Sequence, residues 1–465
     1  MKSYLWNRQI IIPGLILALA LLSIQTLFSE FTNVQKLTIL LLAIAVYLWT
    51  LAPIPTGTSS ILILALILIF GLVDDIDDAV VGFLSPALYF ILMVSLISHA
   101  LVKVGIDRLI ARFIINTSKK GAMGVVITLP VVILLLPILL PSAVARFKIF
   151  LPLIDRMNEY FGFEEKSLFR RFCMFVIGMM NQNSTMVIFT GGGFPILAAQ
   201  LLKDYKVSED MSWMGWFLHI APPLWIGMTI VALFVWNFLK LDSNEDELER
   251  MTKMGSESIK KEEMPHNFWG VLGLFLIMIV VWILFDEDTV PLVLPPMILV
   301  VIYSLPKFNL ITNQTIRNYD WENFLLLGSS FSVGILMETN GTAGALAREL
   351  IYFVPNDGSV AFKVIVIAIF IFCLRFLFIV PSSAMVVIFP IAISYADQVG
   401  LSKEGLSFLV VMIIGGVMVL PIHSPTAFFA YSTGVFTKKE QYTIGVFSSF
   451  IITALGILSA IFYWD

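Results

Sequence analysis

An all-α polytopic membrane protein, with about 11 transmembrane helices, two re-entrant helical hairpins and an inverted-topology repeat, is the fold class that three features of this sequence predict. First, 58% of the 465 residues are hydrophobic, only 13% are charged, and mean hydropathy is +0.92. A soluble fold could not hide so much apolar surface beneath so few polar groups. Second, apolar runs of about 20 residues recur, each long enough to cross the hydrocarbon. Third, two longer apolar runs are interrupted near their middle by Pro and Ser. The composition excludes a cytosolic enzyme, a disordered chain and a nucleic-acid binder. A net charge of −4 and a pI near 5.7 point to no polyanionic partner.

The expected spans are roughly 9–28, 37–54, 59–73, 83–103, 168–201 (broken), 213–239, 267–285, 289–305, 322–339, 404–436 (broken) and 442–463. The first follows Lys2 and Arg8 without a small-residue cleavage site, so it is expected to be a retained helix. The longer runs are 121–153, interrupted by Pro137, Pro141 and Ser142, and 359–394, interrupted by Pro381, Ser382 and Ser383. A single helix of that length would overshoot the hydrocarbon by about 20 Å. Two half-helices folded back on each other fit, provided the irregular tip faces protein or a watery cavity. The polar stretch 241–266 reads as a solvated cytoplasmic linker. Cys173 and Cys373 both sit in apolar surroundings and suggest no disulfide.

Charge placement orients the chain in a cell membrane. With the N-terminus cytoplasmic and the C-terminus external, cytoplasmic segments carry 20 of the 29 Lys and Arg residues and external segments carry 6. This is a strong positive-inside bias. The remaining three, Arg146, Lys148 and Arg375, fall inside the hairpins.

The chain also repeats itself. Segment 83–115 resembles 324–354: each runs apolar to a small turn (Val104-Gly105-Ile106; Asn340-Gly341-Thr342) and continues as a short amphipathic helix containing Ala-Arg. A hairpin and then a broken span follow in each copy. The copies start on opposite faces, a frequent plan among secondary transporters. The broken spans carry the most polar intramembrane sequence: Asn181-Gln182-Asn183-Ser184-Thr185 and Thr190-Gly191-Gly192-Gly193 in the first, Gly415-Gly416 and Pro421-Ile422-His423-Ser424-Pro425-Thr426 in the second. Freed backbone groups there can meet an ion or anion near the midplane.

On these features the chain resembles the divalent anion:sodium symporter family of the ion transporter superfamily. Family hairpin tips read Ser-Asn-Thr with Leu-Pro about ten residues on. Here Ser142-Ala143-Val144 precedes Leu151-Pro152, so the spacing holds while Asn and Thr are missing, and Ser382-Ser383-Ala384 precedes Phe389-Pro390, without Asn and with its register open by up to two residues. The resemblance implies a homodimer with a fixed scaffold and a transport domain moving as an elevator. It divides the chain into amino-terminal scaffold helices 1–82, a first repeat 83–240, the linker 241–266, scaffold helices 267–321 and a second repeat 322–465. It also implies a small anionic substrate such as a di- or tricarboxylate or sulfate.

The expected substrate-binding residues are Ser142, Ala143, Val144 and Arg146 at the first tip, with Asn183, Ser184 and Thr185 in the first broken span. At the second tip and broken span they are Ser382, Ser383, His423, Ser424 and Thr426. Arg146 would present a cation to the anion, and Arg375 stands as a second candidate beside the structural ion pair it would equally suit. His99 reads as a packed, hydrogen-bonded histidine. No cofactor is called for, and sodium enters only as weak sites near Ser142, Thr190 and Ser383. In the family each tip Asn helps to close a sodium site, and Ala143 offers no side-chain oxygen. Two positive charges about 5 Å apart repel by roughly 3 kcal/mol at an effective dielectric of 20, so sodium and Arg146 exclude each other from one site. Sodium-independent exchange, or proton coupling through His423, is the expectation. The alternatives are an ion channel, for which a filter repeat is missing, and an intramembrane hydrolase, which would need paired catalytic Asp, or Ser with His or Lys, within the spans, whereas most Asp residues lie in loops.

Overall fold

The computed structural model describes residues 30–50, 54–118, 121–207, 212–241, 251, 265, 267–285, 289–352, 358–376, 378 and 381–464. Among them every regular element is helical. The first expected span, nearly all of the linker and the acidic patch 286–288 lie outside the described residues. Two apolar helices come first, α1 (Asn33–Thr50) and α2 (Thr56–Ile69).

The first copy begins with α3 (Pro86–Val104), which starts with Pro at its first position and stops at Gly105. Gly105 has φ +103°, a left-handed conformation in which a Cβ would be strained. The amphipathic α4 (Ile106–Ser118) follows, then α5 (Ala122–Leu135) and α6 (Ala143–Tyr160). The expected broken span is α7 (Leu168–Phe175), a π-helical stretch Val176–Met180, the single turn α8 (Asn181–Ser184), two 3-10 turns and α9 (Gly193–Asp204). The long α10 (Trp213–Lys240) closes the copy, and α11 (Phe268–Leu284) and α12 (Leu294–Ser304) lead to the next.

The second copy runs in the same order. Helix α13 (Trp321–Thr339) reaches Gly341, again left-handed at φ +72°, before α14 (Thr342–Ile351). Then come α15 (Val360–Arg375), α16 (Pro381–Val399), α17 (Lys403–Gly416), an irregular crossing, α18 (Pro425–Ser432) and α19 (Lys438–Phe462). By length and composition α3, α10, α16 and α19 can each cross a membrane.

Helices α5 and α6 pack against the same three segments: α7, its π-helical continuation and α8. Helices α15 and α16 pack on each other and both on α17. The copies interleave, with α9 against α16, α10 against α19, and α18 against the π-helical stretch. Serine starts many of these helices: Ser142, Ser167, Ser212, Ser359, Ser402 and Ser424 each accept a backbone N–H of the first turn. Each such cap contributes about 1 kcal/mol.

Several long-range bonds join segments that the charge count assigns to one face. The Lys103 ammonium donates to the Asn309 and Leu310 carbonyls at 3.1 Å each, and Arg171 pairs with Glu440 at 2.6 Å. On the opposite face Lys363 donates to the Val399 carbonyl at 2.9 Å and the Trp464 indole donates to the His219 carbonyl at 2.9 Å.

Candidate functional site

Pro137 within the 3-10 turn 136–138 and Pro141 just beyond it end the run of α5, and the chain turns at Ser142. The Ser142 hydroxyl oxygen accepts the Ala145 N–H at 3.2 Å and so starts α6. Its own O–H stays available as a donor, next to the unpaired N–H groups of the first turn of α6. A helix N-terminus of this kind favours an anion. Ser142, Val144 and Ala145 open onto a cavity of about 880 Å³ between α3, α4 and α6. The 3-10 turns of the broken span come up against the tip: a Cβ on Gly192 would stand 3.4 Å from the Pro141 carbonyl oxygen. At Gly191 a Cβ would fall 2.3 Å from the Thr185 carbonyl oxygen, so only glycine fits.

Arg146 lies one turn into α6 and is 0% exposed. Its guanidinium donates to the Leu140 carbonyl at the tip, to the Asn181 side-chain oxygen at 2.6 Å and to the Asn181 carbonyl at 3.0 Å. Asn181 in turn donates to the Ala143 carbonyl at 2.9 Å. Ser184 is 3.5 Å from the guanidinium and donates to the Asn181 carbonyl at 2.8 Å. Arg146 therefore binds the tip to the broken span and does not line the cavity.

Arg375, at the end of α15, is also 0% exposed. It donates to the Phe378 carbonyl at the second tip, to the Ile414 carbonyl at 2.8 Å and to the His423 carbonyl at 2.9 Å. Among the described residues neither arginine has a carboxylate partner. Each holds its own tip to its own broken span, although Arg146 follows its tip in sequence and Arg375 precedes its own.

The two broken spans are joined directly. Ser424 donates to the Gln182 side-chain oxygen at 3.2 Å and lies 3.0 Å from the Thr426 hydroxyl, which donates to the Gly178 carbonyl at 2.6 Å. His423 is 1% exposed, has its ring 5.4 Å from that of Phe376, and among the described residues has no partner at either ring nitrogen. Ser382 and Ser383 are buried, and Ser383 lies 3.4 Å from Ser330 on α13. Ser142 and Val144 thus line the cavity, Ala143, Arg146 and Ser184 meet at Asn181, Ser424 and Thr426 join the two broken spans, and Ser383 meets α13.

Asn183 and Thr185 turn elsewhere. The Asn183 amide contacts the Met228 sulfur of α10, and Thr185 donates back to the Gln182 carbonyl. Thr190 accepts the Trp213 indole N–H at 3.2 Å. Within the polar run the linking residues are Asn181 and Gln182, which the sequence marked only as part of that run. His99 is exposed and lines the cavity, together with Arg108, Arg112, Lys148 and Arg156. The i, i+4 spacing of Arg108 and Arg112 is the signal that would have found that wall.

A family model described as the sodium:sulfate symporter transmembrane region matches residues 5–465. The chain belongs to this family and is a membrane transporter of anions, not an enzyme. A membrane protein of Cupriavidus necator is 23% identical over 91% of this chain and 86% of its own length. A putative malate transporter of Bacillus subtilis is 25% identical over 50% of this chain and 49% of its own length. The chloroplastic dicarboxylate transporter 2.1 of Arabidopsis thaliana is 23% identical over 53% of this chain and 45% of its own length.

Proposed function

We propose that this chain is a secondary active transporter that exchanges small dianions, dicarboxylates or sulfate, across the cell membrane without sodium. The observation that carries the reading is the pair Arg146 and Arg375. A buried cation with no counter-charge costs several kcal/mol, and an arriving dianion offsets that cost for both. Each guanidinium also takes up carbonyl oxygens of a tip and a broken span, the kind of ligand a sodium ion would require, so a fixed charge stands in for a bound one. The names of the malate and chloroplast relatives support a dicarboxylate.

The substrate sits against the Ser142 hydroxyl and the N-terminus of α6, with Ser424 and Thr426 behind it. Arg146 acts on it through its field and by fixing the tip. Helices α5 with α6, and α15 with α16, form the two re-entrant hairpins. The first tip lines the cavity while the second is covered, an arrangement that suits one end of an elevator cycle. The basic lining supports a cavity that faces the cytoplasm under the positive-inside rule, with the N-terminus inside and the C-terminus outside. The working unit is a homodimer. Exchange is favoured over proton coupling because a proton on His423 would add a second cation on a residue whose carbonyl already accepts from Arg375.

Uptake of labelled malate and sulfate into proteoliposomes tests this. Uptake should require internal anion and ignore a sodium gradient. Steep, saturable sodium dependence, or full uptake into anion-free vesicles, would overturn it.

A further inference from the structure

The cavity below the first tip has its own chemistry. One face of α6 carries Ser142, Lys148 and Arg156 along it, and Arg108 and Arg112 look in from α4. Four cations thus face a single carboxylate, Asp107. Lys148 and Arg156 are eight residues apart, about 12 Å along the helix, so the positive charge extends well beyond the tip. Neither has an ion pair among the described residues. On the opposite wall the Ser98 hydroxyl is buried, 3% exposed, and has no hydrogen-bond partner among the described residues. A buried hydroxyl left unsatisfied is costly, and one bordering a basic cavity has a use for an acceptor oxygen. At about 880 Å³ the cavity has the size of a complete ligand site and exceeds what one small dianion at the tip would fill.

We propose that this cavity holds a second anion site, formed by Lys148 and Arg156 across from Arg112, with Ser98 as a neutral donor. It takes a hydrated dicarboxylate or sulfate before that anion reaches the tip. Basic walls of low dielectric concentrate anions and raise their arrival rate by tenfold or more. The site rests on the transporter reading for its purpose, but its binding is measured separately.

The first experiment is calorimetric titration of the purified Ser142→Leu protein with sulfate and with malate. Blocking the tip should leave one saturable anion site, and adding Lys148→Gln and Arg156→Gln should remove it. The second is anion exchange in proteoliposomes. Lys148→Gln with Arg156→Gln should raise KM about tenfold, hold the maximal rate and flatten the dependence on ionic strength, and Lys148→Arg should restore KM. No anion bound by Ser142→Leu protein, or an unchanged KM and salt dependence, would overturn the site while leaving exchange intact. A site that persists in Ser142→Leu and is lost with the two glutamines, when the unsubstituted protein moves no anion either, would uphold the site and sink the transport reading.

Discussion

Ser424 and Gln182 meet across the middle of the molecule, hydroxyl to amide oxygen at 3.2 Å, and so couple the two broken spans. Through neighbouring residues the link extends to Arg146 on one side, by way of Asn181, and to Arg375 on the other, by way of the His423 carbonyl. The tips, the broken spans and both buried cations thus form one connected polar network. In such a network one loss is felt by every partner. Ser424→Ala removes this bond and the cap on Ala427, and should lower stability by about 1–3 kcal/mol. A thermal melt in detergent measures it, and an unchanged melting temperature would mean the spans are held by packing alone.

Removing the Arg146 guanidinium frees the Leu140 carbonyl and the Asn181 side-chain oxygen and leaves the Asn181 carbonyl with Ser184 alone. Arg146→Ala should therefore become sodium-responsive, gaining thermal stability in sodium chloride over choline chloride while the parent does not. A ligand at 100 times its dissociation constant adds about 2.7 kcal/mol. Equal melting curves in both salts would show that the vacated oxygens do not form a cation site.

At the first tip, Ser142→Leu loses a donor and a cap. Uptake should vanish, while folding costs only about 1 kcal/mol. Ser382 is 7% exposed, so leucine there would disturb packing, and Ser382→Ala is the informative change. Full uptake in both variants would move the site away from the tips.

The Arg171–Glu440 pair gives stability a pH dependence. Burial alone would raise the Glu440 carboxyl, but the Thr437 N–H and hydroxyl and the Arg171 guanidinium together hold it below its ordinary 4.5. A lowered carboxyl stabilises the fold fully above its unfolded value, and that stability is lost as pH falls through the folded value. The melting temperature should therefore hold at neutral pH and fall below about pH 4.5. Glu440→Gln should remove this part of the acid response and, by stranding Arg171, cost about 3–5 kcal/mol at pH 7. A parent-like acid profile in Glu440→Gln would assign the effect to other carboxylates.

Cysteine labelling tests the orientation. In a Cys373→Ser background, because native Cys373 is exposed, a cysteine at Asp75 should react with an impermeant reagent outside intact cells and one at Arg156 should not. The reverse pattern would invert the membrane topology.

Much of this fold is legible because its signals are local. Gly105 and Gly341 read as paired turns, and both adopt the left-handed backbone that only such a turn requires. The prolines around Ser142 mark where α5 gives way to α6. The polar run at 181–185 marks the break in its span, yet its spacing does not tell which side chain faces which neighbour. Asn181 and Gln182 make the cross-links and Asn183 turns to Met228, because the π-helical stretch before them rotates the register. Arg146 and Arg375 were visible as intramembrane charges, but their carbonyl partners lie on other segments that only the tertiary fold brings near. The basic wall of the cavity was hidden for the same reason: Lys148 and Arg108 are 40 positions apart in the chain.

The two buried guanidinium groups also decide how the carrier meets the membrane potential. Under the proposed exchange, a bound dianion cancels the charge of these two groups as they cross the electric field. Empty, these two groups carry two positive charges, and moving them through 100 mV costs or yields about 4.6 kcal/mol. Such a protein should run at nearly the same speed in polarised and depolarised vesicles as long as anion is present on both sides. On that proposal its unloaded return stroke should be slow and strongly voltage-dependent, and exchange of one anion for another close to obligatory.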